Sequence, residues 1–157
     1  MTTSFKRIQI LTDLLKKHNI RNIVFSPGSR NAPLVLAFKS DSFFNSKVIV
    51  DERSAAFIAL GMSQQLQEPV IICCTSGSAT LNYSPAICEA FYQRIPLLIL
   101  TADRPPEWID QGEGQSINQN SIYNNYAGGS FQFPVDENKD TLWPVSYTHL
   151  RAHETSC

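Results

Sequence analysis

Four short polar segments hold the residues of this 157-residue chain that are best suited to chemistry. Ser26-Pro27-Gly28-Ser29-Arg30 joins a glycine, over which the backbone can approach a ligand, to an arginine whose planar fork matches a carboxylate. A capped turn with a solvated arginine is the plainer account of the same residues. Asp51-Glu52-Arg53 places acids where a helix would begin, and complementing the helix dipole explains them. Glu52 has a second reading, because Ala55, Ala56, Phe57 and Gly61 follow it. Packed among such groups, its carboxyl would be suited to sharing a proton with a ligand nitrogen. Thr75-Ser76-Gly77-Ser78 is another glycine turn. Ser76 or Ser78 would be its candidate nucleophile, yet the G-x-S-x-G elbow is missing. The nearest histidine, His18, falls at the wrong end of the first helix for a Ser-His-acid site. Helix capping with close ligand approach accounts better for this turn. Asp103-Arg104-Pro105-Pro106 stiffens the chain just after a second arginine, which limits the entropy lost when that arginine meets an anion. Two arginines at one edge suit a dicarboxylate; the alternative is a solvated Arg104 paired with Asp103. Gln115 and Asn118 would add neutral hydrogen bonds.

The elements that must carry these turns are legible from hydrophobic spacing. Ile8, Leu11, Leu14 and Leu15 predict a helix that ends at His18-Asn19. Strands are expected at Asn22–Ser26, Lys47–Val50, Val70–Cys74 and Ile95–Leu100. Helices are expected at Asn31–Phe38, with Pro33 in a first turn, at Asp51–Gln67, and at Ser78–Tyr92. Apolar strands alternating with helices predict an α/β fold, a doubly wound, mainly parallel sheet with helices on both faces. In such sheets ligands bind beyond the carboxyl ends of the strands, where all four polar turns fall. Residues 107–125, rich in Gly, Gln and Asn, are expected to loop over that edge, and Phe131–Val135 to add a further strand.

The composition, 43% hydrophobic and 17% charged, is that of one globular domain. A formal net charge of −1 argues against nucleic acid or an anionic membrane as the main partner. No apolar run reaches the roughly 18 to 20 residues of a membrane span, and the N-terminus lacks a signal-peptide core. Cys73, Cys74, Cys88 and Cys157 include no C-x-x-C pair, so free thiols in a reducing cytoplasm are expected. Val145–Cys157 breaks the apolar pattern and reads as a non-native tail. His149 and His153 lie there at i, i+4 without a third ligand, so no metal site is expected in this chain.

In order and spacing, S-P-G-S-R-N-A-P-L (26–34), D-E-R-S-A-A-F-I-A-L-G (51–61), T-S-G-S-A (75–79), T-A-D-R-P-P-E (101–107) and Q-G-E-G-Q-S-I-N-Q (111–119) resemble one family. It is the 2-succinyl-5-enolpyruvyl-6-hydroxy-3-cyclohexene-1-carboxylate synthases, thiamine-diphosphate enzymes of menaquinone biosynthesis. The resemblance runs from about Ile8 to Trp143 and implies a pyrimidine-binding domain over residues 1–143, truncated at its C-terminus, with 144–157 foreign to it. It implies decarboxylation of 2-oxoglutarate and conjugate addition to isochorismate, with thiamine diphosphate as the electron sink. Glu52 then falls on the catalytic glutamate that bonds the cofactor's aminopyrimidine. Pro27, Gly28, Thr75, Ser76 and Gly77 fall beside the cofactor, and Ser29, Arg30, Arg104 and Gln115 on substrate-contacting positions. Mg²⁺ or Mn²⁺ and the diphosphate would belong to a C-terminal domain absent from this chain, in a homo-oligomer (dimer or tetramer), so the fragment is expected to be inactive alone. Ser78 stands where the family often has Thr, and Gly114 where some members have Asn. The alternatives are another thiamine-diphosphate decarboxylase of the acetolactate-synthase type, and a non-catalytic anion-binding or assembly module.

Overall fold

The computed structural model describes residues 6–133. Helix α1 (Lys6–Lys17) ends, as its spacing predicts, where Asn19 turns left-handed at φ 55°. Strand β1 (Asn22–Phe25), helix α2 (Ala32–Lys39), strand β2 (Asn45–Val48), helix α3 (Glu52–Leu66) and strand β3 (Val70–Cys74) follow. Then come the short helix α4 (Ser78–Leu81), helix α5 (Ser84–Gln93) and strand β4 (Leu97–Thr101). A single 3-10 turn, Pro106–Trp108, interrupts the irregular chain beyond.

The four strands make one parallel sheet in the order β2-β1-β3-β4. Its faces are sorted by strand alternation. Val24, Val70, Ile72, Cys74 and Leu97 pack under α3 and α5 with Ala55, Ala56, Ala59, Ala86 and Ala90. Ile23, Phe25, Ile71, Cys73 and Leu100 pack on the other face with Leu15 of α1 and Phe38 of α2. Small residues on α3 and α5 let those helices lie close to the sheet and to one another. Phe38, meeting Phe25 and Phe44 at centroid distances of 5.9 and 4.7 Å, fills the wider gap on the opposite face. Helices on both faces of a parallel sheet are the doubly wound arrangement predicted from the sequence.

Three expectations need correction. The second strand starts two residues early and is not buried: Asn45, Lys47 and Val48 are exposed at the sheet's edge, and the strand exists because Asn45–Val48 pairs with Asn22–Phe25. The predicted helix Ser78–Tyr92 is two helices, broken at Asn82–Tyr83. Pro85, in the first turn of α5, has no N–H to continue a ladder from α4. Phe131–Phe133 form no strand, and the rest of that predicted strand, like the tail with His149 and His153, lies outside the described residues. Cys73 and Cys74 are buried and Cys88 half-buried, all free thiols; Cys157 also lies outside the described residues. Among the described residues no helix is long and apolar enough to cross a membrane.

Candidate active site

Strand order places the switch in winding direction between β1 and β3, since the chain leaves β1 for β2 on one side and reaches β3 on the other. The turns after these two strands touch. A β-carbon on Gly28 would stand 2.5 Å from the Thr75 Cβ, so only glycine lets the Ser26–Arg30 turn pass this close. The turn is tied from below by Asn31, a fully buried side chain at the N-cap position of α2. Its Oδ1 accepts the Gly28 N–H at 2.8 Å, and its Nδ2 donates to the Ser26 carbonyl at 3.0 Å. Ser29, the hydroxyl two residues earlier, is exposed and does not fill that position.

The segment after β3 is held by the later loop. Gly77 adopts φ +80°, and a β-carbon there would fall 2.0 Å from the Gln115 carbonyl oxygen. The Ser78 N–H donates to that carbonyl at 3.0 Å, and the Gln115 Nε2 donates to the Ser76 carbonyl at 2.8 Å. Gln119, buried, completes the clasp: its Oε1 accepts the Gly77 N–H at 2.5 Å, while its Nε2 donates to the Ala102 carbonyl at 2.9 Å. Tyr123 adds a hydroxyl donated to the Thr80 carbonyl. Loop 107–125 thus covers the carboxyl edge, as its composition predicts. The neutral hydrogen bonds expected of Gln115 and Asn118 come from Gln115 and Gln119. Asn118 is exposed, and its Oδ1 accepts the Asn120 N–H.

Arg104 is the most enclosed charge in the site, at 6% exposure, which removes the reading of a solvated arginine. Its Nη1 donates to the Ser76 Oγ at 3.2 Å and its Nη2 to the Gly114 carbonyl at 2.7 Å. Its Nε lies 2.9 Å from the Glu113 Oε2, an ion pair in which the N–H is not aimed at the oxygen. Asp103 is not the guanidinium's partner; its Oδ1 accepts the Arg104 backbone N–H at 2.7 Å. Burial raises the Asp103 carboxyl above the usual aspartate range, partly offset by that N–H and by the arginine's charge. The Arg30 Nη2 reaches the same Glu113 Oε2 at 3.8 Å. The structure therefore brings the two predicted arginines together, through a carboxylate that the sequence does not single out.

Glu52 opens α3 next to its cap. The Asp51 Oδ1 accepts the Ser54 N–H at 2.8 Å, the main cause of its lowered carboxyl pKa. Asp51 accounts for the acid at the helix start, which leaves Glu52 without that duty. Glu52 is half-buried, and its carboxylate makes no hydrogen bond or ion pair among the described residues. The apolar enclosure expected around it is incomplete within one chain. Ala55 and Ala56 are buried in the core, but Phe57 is 47% exposed and Val50 78%. Beneath it the Cys74 thiol, pushed up mainly by burial, also feels the Glu52 charge. Tyr83 and Ser26 lie beside this thiol, and neither hydroxyl has a well-formed hydrogen-bond partner among the described residues although both are fully buried.

An unpartnered carboxylate beside exposed apolar groups, at the carboxyl edge of a parallel sheet, fits the polar edge and flat face of an aromatic nitrogen heterocycle. Among the described residues no group of three His, Cys, Asp or Glu side chains is gathered to hold a metal ion. Asn31, Gln119, Tyr123 and Glu113 are the site residues that sequence reasoning missed. All but Tyr123 lie in the motifs quoted above, and the available signal was polar residues inside otherwise tightly conformed turns.

The family profile described as thiamine pyrophosphate enzyme, N-terminal TPP binding domain, matches residues 6–122. The chain is 54% identical over 134 residues to the 2-succinyl-5-enolpyruvyl-6-hydroxy-3-cyclohexene-1-carboxylate synthase of Cytophaga hutchinsonii, covering 85% of this chain and 24% of that protein. It is 55% identical over 114 residues to the synthase of the same name from Porphyromonas gingivalis (73% and 20%), and 43% identical over 143 residues to that of Staphylococcus aureus (90% and 26%). Among solved structures, benzoylformate decarboxylase from Polynucleobacter necessarius superposes with a TM-score of 0.75 at 25% identity, over 94% of this chain and 26% of that one. The chain thus spans about a quarter of the length of the curated relatives it matches.

Proposed function

The chain belongs to the thiamine pyrophosphate enzyme N-terminal TPP binding domain family, and from that premise we propose that it is the pyrimidine-binding part of a synthase that decarboxylates 2-oxoglutarate and adds the resulting unit to isochorismate. The observation that carries the reading is the meeting of Arg30 and Arg104 on one carboxylate oxygen, at the sheet edge that also presents Glu52. Both proposed substrates are carboxylates, and a guanidinium pair is suited to reading them. The names borne by relatives at 43–55% identity support the same substrates.

In this reading the cofactor is thiamine diphosphate, which when bound supplies the electron sink for the decarboxylated unit. Glu52 holds a proton against N1′ of its aminopyrimidine, an arrangement that suits a carboxylate with no protein partner. Pro27, Gly28, Thr75, Ser76 and Gly77 wall the ring: the Gly28–Thr75 contact fixes the spacing of the two turns, and Asn31 and Gln119 fix their backbones. Arg30 and Arg104 orient the carboxylates, with Ser29 next to Arg30 in sequence and Gln115 joined to Arg104 through Ser76, which both bond. The strand ends before Glu52 and before Arg104 lie three strand spacings apart, about 14 Å. That span suits proton handling at one end and carboxylate recognition at the other.

Exposed Val48, Val50, Phe57 and Ile58 around Glu52 support a partner subunit that completes the dry side of the site in a homo-oligomer. Mg²⁺ or Mn²⁺ and the diphosphate are assigned, in this reading, to the C-terminal domain of the full-length protein, working in the cytoplasm. The test is Glu52→Gln in that full-length enzyme. Exchange of the thiazolium C2 proton should slow by about 100-fold or more with the fold intact; near-normal exchange removes Glu52 from the role.

A further inference from the structure

The feature that the proposed reaction leaves unused is Glu113. Arg104 is almost fully buried, and two of its nitrogens are satisfied by the Ser76 hydroxyl and the Gly114 carbonyl. Its one ion pair among the described residues is with Glu113, the Asp103 carboxyl feeling its charge without pairing with it, and one oxygen, Oε2, serves both Arg104 at 2.9 Å and Arg30 at 3.8 Å. A buried guanidinium needs such a counter-charge, because without it the ion is desolvated and uncompensated. The grip, however, is loose. The Nε–H is not aimed at the oxygen, the Arg30 contact is at the long limit of an ion pair, and the Glu113 side chain is 38% exposed. Gly112 and Gly114 flank it, and a β-carbon at either would meet nothing within 4 Å beyond its chain neighbours, so the backbone on both sides of Glu113 borders open space. Arg104, by contrast, is fixed by hydrogen bonds that do not involve the Glu113 side chain.

We propose that Glu113 is an internal stand-in for a ligand carboxylate: it occupies the Arg30–Arg104 pair in the empty site and is displaced, swinging into the open space beside Gly112 and Gly114, when a carboxylate ligand binds. This deepens the carboxylate reading given above and rests on it. An internal carboxylate competes with every external one, so the apparent affinity of the pair is reduced by the fraction of time Glu113 holds it. A ligand is then admitted only if it brings contacts beyond its charge. A lone small anion does not displace Glu113, whereas a dicarboxylate that also bonds neighbouring groups does. Glu113 is a positioning and gating residue here; it does not touch reacting atoms.

The test uses the 157-residue chain, ¹⁵N-labelled, titrated with succinate as a plain dicarboxylate probe while the arginine Nε–Hε resonances are followed. Glu113→Gln should bind succinate about fivefold to tenfold more tightly than the unmodified chain. The resonances of Arg30 and Arg104 should move, and the Arg104 resonance of the free variant should already differ from that of the unmodified chain. Adding Arg30→Gln to Glu113→Gln should abolish the gain. Equal affinity in the two proteins, weaker binding in the variant, or no binding to either overturns the proposal, because freed arginines must then have no use for an external carboxylate. Glu113→Asp, which keeps the charge on a shorter stem, should fall between the two, and a fit no different from Glu113→Gln also counts against it. Succinate carries no thiamine, so a failure of the cofactor reading at Glu52 leaves this outcome unaffected, and the two can be told apart.

Discussion

Gly28 and Thr75 stand so close that the first has no room for a β-carbon, which would lie 2.5, 2.8 and 2.9 Å from three atoms of the threonine side chain. The contact welds the turn after β1 to the turn after β3 at the point where the sheet reverses its winding. Gly28→Ala should therefore cost about 1–3 kcal/mol in stability, the range for overpacking a filled site. Thr75→Ala in the same chain should not restore it fully, because the threonine Cβ is itself the nearest atom. Denaturant unfolding of the single and double variants checks both statements; a Gly28→Ala midpoint equal to the parent's would mean that the turns do not touch.

Asn31 carries a load that is out of proportion to its exposure. Removing its amide leaves the Gly28 N–H and the Ser26 carbonyl without partners in a buried turn. Asn31→Ala should lose about 2–3 kcal/mol, and Asn31→Asp, which keeps only the acceptor, should also be destabilised. The comparison is made from equilibrium unfolding midpoints at constant m-value.

The two arginines should behave differently. Arg30 is half-exposed and pairs only at 3.8 Å, so Arg30→Ala should leave stability within about 0.5 kcal/mol of the parent. Arg104→Ala removes two hydrogen bonds and an enclosed ion pair, and should cost about 3 kcal/mol and loosen loop 107–125. Hydrogen exchange of the Gly77 and Ser78 amides, both held by that loop, reports the loosening directly. Unchanged protection would show that the clasp does not depend on Arg104.

Buried groups make the fold sensitive to alkali. Burial pushes the Cys73 thiol from 9.0 up to about 12, with the Asn31 amide offsetting a little of the shift. The Cys74 thiol and the Tyr83 and Tyr123 phenols are raised in the same direction, each chiefly by burial. For a group raised in the folded state, the unfolded chain ionises first. The stability is fully present below pH 9 and falls as the pH climbs from there through 12. Unfolding midpoints measured from pH 7 to 11 should be flat at first and then decline. Native-state alkylation at pH 8 should modify Cys88, which is half-buried, well before Cys73 or Cys74.

Tyr83→Phe removes a fully buried hydroxyl that has no well-formed partner among the described residues. The change should be neutral or raise stability by up to about 1 kcal/mol. A lowered melting temperature would mean that the hydroxyl is satisfied by its neighbours, the Ser26 hydroxyl or the Cys74 thiol.

Much of this architecture is legible in the sequence, and the exceptions have common causes. Val70–Cys74 and α3 match their predicted spans because each is specified by its own residues: an unbroken apolar run in one, and Asp51 and Gln67 bounding an apolar stripe in the other. Strand β2 was misplaced because Asn45-Ser46-Lys47 has no hydrophobic signal; its conformation comes from the ladder offered by β1. The break before Pro85 is masked in the sequence by helical apolar spacing on either side. At the site, glycines and charges were found because their types are conspicuous. Glu113 was overlooked because an acid in a polar loop is ordinary until the fold sets it between two cations. Asn31 and Gln119 act through backbone groups of Gly28 and Gly77, and side-chain patterns carry no record of such partners.

The parallel register has a consequence for how the molecule comes into being. Asn22 must find Val70, and Gly77 must wait for Gln119, so the turn after β3 is closed by chain made much later. During vectorial synthesis β1 first meets the exposed strand β2 and gains its inner neighbour only once Cys74 has emerged. Such long-range pairing folds slowly. The arginine pair is therefore assembled last, and a nascent chain arrested before residue 119 would have a sheet but no finished site.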